Sequence, residues 1–210
     1  MPLIEKAAAK AFGSFEAIVS GQTHEGLALL TGAPCEGMRF RGGAAPAGPS
    51  DPSSCSADLM VASPLVDHDV IWARLLSYHQ ANYPIGASCH PDGVMEEASA
   101  HAMGLLSAHA YSILDVRDTA SLRLVKLRNP WGKGSWRGEW SDGSPVWSQE
   151  LLESLGHLPY SDEGVFWMEY GDLSRYFSHL DVCKLRPTWL STRLETSLPY
   201  RGGGDWRWFR

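Results

Sequence analysis

The chain has 210 residues, of which 44% are hydrophobic, and its formal net charge is −6. This hydrophobic content supports a packed core and excludes a globally disordered chain. The acidic balance, without any basic run, gives no reason to expect a nucleic-acid partner. No apolar run approaches the roughly 20 residues that span a bilayer, and the N-terminus lacks the apolar segment of a secretory signal.

The cysteines are spaced without a C-x-x-C pair, and they are Cys35, Cys55, Cys89 and Cys183. Such spacing is typical of a reducing compartment rather than of a disulfide scaffold. The sequence therefore predicts a globular protein of the cytoplasm.

Two short helices are predicted near the N-terminus. The Ala- and Lys-rich stretch over 3–12 favours a helix that ends at Gly13. A second helix is predicted from Thr23, a candidate N-cap, to Gly32.

The next part of the chain combines a loop, a helix and a strand. The dense Gly, Pro and Ser content of 41–57 predicts a mobile loop. An amphipathic helix is expected over 67–82, then a strand over 83–89 and a loop over 90–104. The apolar residues expected on one face of the helix are Val70, Ile71, Leu75 and Leu76.

From residue 109 onward the pattern is typical of β-structure. The strands "HAYSILDV" and "LRLVKL" flank the short polar "RDTAS", which predicts an antiparallel hairpin. The Gly- and Trp-rich stretch over 129–147 is too long and irregular for a plain turn, so we expect a loop that displays functional groups. A strand over 164–170, a helix over 171–180 and a strand over 181–185 follow.

One polar side chain stands at a tip of each hairpin strand, His109 before the first and Asn129 after the second. In an antiparallel pair these two tips lie at the same edge. A neutral Asn oxygen can orient an imidazole, as it does in the Cys-His-Asn sites of papain-like proteases, and Trp131 would shield the pair from water. The alternative is an ordinary strand histidine and a turn residue before Pro130, and the spacing alone leaves both interpretations open.

The motifs around these positions resemble the calpain family of intracellular cysteine proteases. "HAYS", "RLVKLRNPWG", "WRGEWSDGSPVW" and "GVFWMEYGDL" follow one another in the family's order, and the "LIEKAAAKAFGSFEAIVSG" start is similar to the family's as well. The resemblance covers residues 3–186. The variants "TGAPCE", "VIWARLLS" and "HAYSILDVRD" are most similar to the small-optic-lobes type of calpain.

The resemblance implies an α+β fold, the right-half subdomain of a papain-like protease, with an antiparallel sheet or barrel flanked by helices. It implies that His109 is the general base, that Asn129 orients it and that Trp131 shields the site. The family's nucleophile lies in a Gln-Gly-x-x-Gly-Asp-Cys-Trp segment, which these 210 residues do not contain. Cys89 in "GASC" is the tempting substitute, but it falls where the family has a buried strand, so no nucleophile is assigned.

The other cysteines have structural interpretations. Cys35 is expected to be a loop thiol, Cys55 a thiol of the mobile loop, and Cys183 a core residue of a strand.

The resemblance raises the question of whether this half binds calcium. Aligned on the motifs, Asp142 and Glu163 stand where the family has acidic calcium ligands, whereas Ser135 and Val165 replace carboxylates. Since hard cations need several oxygen ligands, this half is expected to bind calcium weakly or not at all. Asp142 is equally well interpreted as a turn residue before Gly143.

The predicted organisation is a C-terminal, His/Asn-bearing half of a calpain core over 1–186, followed by a truncated linker or start of a further domain over 187–210. The implied reaction is hydrolysis of protein or peptide substrates, and the implied partner is the missing Cys-bearing half. The isolated chain, interpreted as a fragment, is expected to be inactive. The alternative is a non-catalytic, calpain-like binding or regulatory module.

Overall fold

The computed structural model describes residues 2–40, 66–90, 94–119, 121–160, 164–186 and 188. Within these ranges it contains six α-helices and six β-strands. In chain order they are α1 (Pro2–Phe12), α2 (Thr23–Thr31), β1 (Cys35–Arg39), α3 (His68–Gln80), β2 (Ile85–Cys89), α4 (Val94–Ala102), β3 (His109–Asp118), β4 (Arg123–Arg128), α5 (Gln149–Leu155), β5 (Val165–Glu169), α6 (Tyr170–Tyr176) and β6 (His179–Cys183).

The strands form one sheet with the order β1-β6-β2-β3-β4-β5. Every neighbouring pair is antiparallel. The expected α+β fold, an antiparallel sheet accompanied by helices, is confirmed, and so are the 109–127 hairpin and the last two predicted strands.

The sheet has apolar side chains on both faces near β4 and β5. Val125 and Leu127 belong to the main core with Phe166, whereas Leu124 and Trp167 belong to a second cluster. Because successive strand residues point to opposite faces, the two clusters lie on opposite sides of these strands. The second cluster is completed by Trp140 and by partly buried residues of the Trp-rich loop and α5, so apolar packing helps to hold that loop on the sheet.

Helix α3 begins at the predicted place, but its buried face differs from the prediction. The Asp67 carboxylate caps the helix by accepting the Asp69 and Val70 N–H groups at 2.9 and 3.2 Å. The buried residues are Ile71, Trp72 and Leu75, and Val70 is 51% exposed. The prediction for Val70 was therefore wrong, and Trp72 belongs to the buried face instead.

Four elements depart from the sequence-based expectations. Helix α4 forms inside 90–104, which was expected to be a loop; its Glu and Ala residues are good helix formers. Strand β1 places Cys35 in the sheet rather than in a loop, and α5 was not predicted. The cap of α2 is Gln22 rather than Thr23, and the Gln22 N–H donates to the Glu25 side chain at 3.1 Å.

A buried carboxylate fastens α2 to the sheet. Asp181 of β6 is 1% exposed, and its Oδ1 lies 3.2 Å from Nδ1 of His24 on α2. Its Oδ2 lies 3.5 Å from Nε2 of His179, which is an ion-pair distance rather than a hydrogen bond. Burial acts to raise the pKa of Asp181, but the contacts with His179 and His24 outweigh burial and lower the pKa below its ordinary value.

Two predictions concern segments that the structure does not describe. The mobile loop over 41–57 and the segment over 187–210, except for residue 188, lie outside the described residues. Among the helices that the structure does describe, none is long and apolar enough to cross a membrane.

Candidate active site

His109 and Asn129 meet at one edge of the sheet because β3 and β4 form a hairpin. His109 is the first residue of β3 and Asn129 follows the last residue of β4. The β3 strand carries an extra residue, Leu114, where the register with β4 shifts. Such bulges bend a strand and re-aim the side chains near its end.

The imidazole of His109 and the amide of Asn129 are in direct contact. His109 Nε2 lies 2.8 Å from Asn129 Oδ1, and Asn129 is 1% exposed. The Asn129 Nδ2 group donates to the Lys133 carbonyl, and its Oδ1 also accepts the Trp131 N–H at 3.0 Å. Since an amide oxygen only accepts hydrogen bonds, the His109 Nε2 must carry the hydrogen, which leaves Nδ1 able to accept a proton.

The backbone of Asn129 is fixed by the neighbouring strand. The Asn129 N–H donates to the Gly164 carbonyl at 2.8 Å, and the Asn129 carbonyl accepts the Gly132 N–H at 3.0 Å, which closes a tight turn with Pro130 inside it. Gly164 has φ +77°, and a Cβ there would lie 3.0 Å from the Gly132 Cα. Only glycine permits this approach, so Gly164 is a supporting residue that the sequence interpretation did not identify.

Two aromatic rings flank the imidazole. The Trp131 ring lies 4.4 Å from the His109 ring between centroids, and the Tyr111 ring lies edge-on at 5.0 Å. Tyr111 is buried and accepts the Leu106 N–H at 2.9 Å, whereas Trp131 is 69% exposed. Burial raises the pKa of Tyr111 to about 12, so its hydroxyl remains neutral. The structure therefore brings together all three residues expected at this edge, His109, Asn129 and Trp131.

Cys89 lies in the strand next to His109 but does not have the environment of a nucleophile. It is paired with His109 in the β2/β3 register, is fully buried and donates its S–H to the Tyr176 carbonyl at 3.5 Å. Burial raises the pKa of the Cys89 thiol to about 12, so the thiolate is not formed at neutral pH. Cys183 is a buried strand residue, as expected, and Cys55 lies outside the described residues.

Three of the positions considered for calcium line one cavity, but they do not supply a hard-cation site. Ser135, Asp142 and Val165 border an open cavity of about 800 Å³, together with the cationic Lys133 and Arg137. Glu163 lies outside the described residues. No group of three or more His, Cys, Asp or Glu suited to a metal ion occurs in the described ranges. The described part of the cavity therefore offers one carboxylate, and the expectation of weak or no calcium binding stays a prediction.

The Asp142 carboxylate is already engaged by groups of the chain itself. Its Oδ2 accepts the Tyr160 N–H at 2.8 Å, and its Oδ1 lies 3.1 Å from Nε2 of the buried His157. The His157 ring packs against Trp147 at 5.1 Å. Burial lowers the pKa of His157 and outweighs the opposing influence of Asp142. No sequence signal identified His157, because its contacts come from residues 10 or more positions away along the chain.

Comparisons with known proteins point to one family. The sequence model of the calpain family cysteine proteases (Peptidase_C2) matches residues 1–184. Calpain-type cysteine protease DEK1 of Arabidopsis thaliana is 34% identical over 206 residues, which cover 98% of this chain and 8% of that protein. Calpain-5 of Mus musculus is 30% identical over 215 residues, covering 91% of this chain and 31% of that protein. Calpain-14 of Homo sapiens is 34% identical over 197 residues, covering 90% and 24%. The chain spans less than a third of the length of each of these relatives. The greater similarity to small-optic-lobes-type calpains stays a prediction.

Proposed function

The chain belongs to the calpain family of cysteine proteases, and we propose that it is the His/Asn-bearing half of a calpain-type endopeptidase core that cleaves cytoplasmic proteins. The observation that supports this proposal is the 2.8 Å contact between His109 Nε2 and Asn129 Oδ1 beside Trp131. The printed name of the Arabidopsis thaliana relative describes a calpain-type cysteine protease, and the chain contains two of the three groups that such a site needs.

His109 is the general base and acid of the proposed reaction. With its hydrogen held on Nε2 by Asn129, its Nδ1 accepts the proton of a cysteine thiol as that sulfur attacks the substrate carbonyl. The same nitrogen returns a proton to the leaving amine, which yields an acyl-thioester that water then hydrolyses. Asn129 orients the ring without adding a second negative charge, and Trp131 limits access of water to the pair.

The nucleophile comes from a partner in this proposal. These 210 residues contain no Gln-Gly-x-x-Gly-Asp-Cys-Trp segment, and Cys89 is a buried, protonated thiol. A base without its nucleophile does not form an acyl-enzyme, so the chain by itself is expected to be inactive. The proposed partner is a Cys-bearing half that docks against the edge carrying His109.

Calcium control of this half is not part of the proposed mechanism. The Asp142 carboxylate already receives the Tyr160 N–H and lies beside His157, and two cationic side chains line the same cavity. We propose that any calcium dependence of the assembled enzyme arises from residues other than these.

The test is to fuse the chain to the Cys-bearing half of a related calpain and to measure cleavage of a fluorogenic peptide. We expect no cleavage by either part alone, cleavage by the fusion, and its loss in His109→Ala. The matched control is His101→Ala, an exposed histidine of α4, which should retain activity. Cleavage that survives His109→Ala would contradict the assignment of the base. A folded fusion that never cleaves would favour a non-catalytic binding module.

A further inference from the structure

Two cysteines lie directly opposite each other on the edge strand β1 and its neighbour β6, far from His109. Cys35 begins β1 and Cys183 ends β6, and they are partners in the antiparallel register. Cys183 is fully buried, and Cys35 is half-buried on the edge strand. Neither thiol has a part in the proposed reaction.

The backbone places these residues in the pair type whose side chains approach most closely. The Cys183 N–H donates to the Pro84 carbonyl, on the side of β2, and the next residue, Lys184, donates to the Pro34 carbonyl of the β1 side. Cys35 and Cys183 therefore form a non-hydrogen-bonded pair, in which the two Cα atoms are typically about 4.5 Å apart. Disulfides join Cα atoms that are about 4.4–6.8 Å apart, so a covalent bond fits without a movement of the strands.

The Cys35 S–H donates to the Ala33 carbonyl at 3.7 Å. Burial raises the pKa of Cys35 to about 12, with a smaller contribution from the neighbouring Cys183. The Thr31 hydroxyl of α2 lies 3.3 Å from the Cys183 sulfur and also donates to the Leu27 carbonyl. Because burial keeps the Cys35 thiol protonated at neutral pH, brief exposure to an oxidant leaves it reduced, and sustained exposure is needed to join the two cysteines.

We propose that Cys35 and Cys183 are a redox modification site. The two residues form a reversible cross-strand disulfide with each other when a low-molecular-weight disulfide, such as oxidised glutathione, oxidises them. The Cys35 thiol loses its proton and attacks one sulfur of the oxidant, which releases one thiol and leaves a mixed disulfide. The Cys183 thiol then loses its proton and attacks the Cys35 sulfur, which releases the second thiol. Two protein thiols are oxidised to one disulfide, and one small disulfide is reduced to two thiols.

The bond would fasten an edge strand of the sheet. Among the strands that the structure describes, β1 pairs only with β6, and α2 packs on both strands. A link between residues 35 and 183 closes a loop through most of the described chain, which restricts the unfolded state strongly. Oxidation is therefore expected to stabilise the fold, and reduction to remove that added stability.

The experiment compares the full chain after prolonged incubation with oxidised glutathione and after treatment with dithiothreitol. We expect the oxidised chain to lose the mass of two hydrogens, to yield a linked peptide pair containing Cys35 and Cys183 on digestion under non-reducing conditions, and to unfold at a higher temperature. Dithiothreitol should reverse all three changes.

Variants identify the thiols involved. Cys35→Ala is at the half-buried edge position, so it tests the link without opening the core, and it should abolish both the linked peptide and the rise in Tm. The matched controls Cys55→Ala and Cys89→Ala should retain them. A glutathione adduct alone, a bond that survives Cys35→Ala, or oxidation that leaves Tm unchanged would overturn the proposal.

Discussion

Replacing Asn129 by Ala should disturb both the stability of the fold and the state of His109. The side-chain amide makes three hydrogen bonds, with the His109 ring, the Trp131 N–H and the Lys133 carbonyl, at a position that is 1% exposed. Each such bond contributes roughly 0.5–1.5 kcal/mol, so the variant should lose about 3 kcal/mol of unfolding free energy. For a chain of this size, about 1 kcal/mol corresponds to roughly 2–4 °C, so Tm should fall by about 6–12 °C.

The same substitution removes the group that holds the hydrogen on Nε2. The ¹⁵N resonances of the neutral His109 ring should show one tautomer in the unmodified chain and a mixture in Asn129→Ala. The matched control is Gln149→Ala, whose amide donates to Glu153 on an exposed helix and should change stability by no more than about 0.5 kcal/mol. An unchanged tautomer, together with a fall in Tm no larger than that of the control, would refute this account of the site.

Three further predictions address the surroundings of the pair. Trp131→Ala should change the unfolding free energy by no more than about 0.5 kcal/mol, because the residue is exposed. It should nevertheless lower kcat/KM of the fused core by roughly 10–100-fold through loss of positioning. A fall in unfolding free energy as large as the rise in the activation free energy would contradict this. The lowered pKa of Asp181 contributes stability that is present above its unfolded-state pKa of 3.8 and is lost as the pH falls through the lower folded-state pKa. Asp181→Asn should therefore flatten the acid side of the curve of Tm against pH. An unchanged acid side would argue against the His24 and His179 contacts. Millimolar calcium should leave the Tm of the chain unchanged, whereas the Asp142→Asn substitution should lower Tm even when no calcium is present. A rise in Tm with calcium that Asp142→Asn abolishes would show that Asp142 is a calcium ligand after all.

The sequence predicts an element correctly where the local pattern of apolar and polar residues matches the burial of those residues in the fold. The alternation in 109–127 and its polar connection predict the hairpin, and the hairpin alone brings His109 to Asn129. Strand β1 was missed because only one of its five residues, Met38, is buried, so it lacks an apolar pattern. The contact between His157 and Asp142 depends on how the Trp-rich loop folds back on α5, and no spacing rule encodes that.

Helix α4 illustrates a different reason for failure. Its helix-forming residues follow Pro91 and Gly93, which favour a loop, and the two signals cannot be ranked without knowing what the helix packs against. Ala100 is fully buried in the core, and tertiary packing of this kind decides between the two signals.

His109 and Asn129 are separated by only 20 positions on a single hairpin. Contacts between residues so close in sequence cost little chain entropy to form, and proteins rich in such contacts fold quickly. The two side chains can therefore come together as soon as the hairpin has formed. Under the proposed function, the two requirements for activity would then be met at different times: the proton-transfer pair on folding, and the nucleophile on association with a Cys-bearing half. An enzyme arranged in this way can be controlled entirely at the association step, with the chemistry of the His/Asn half ready in advance.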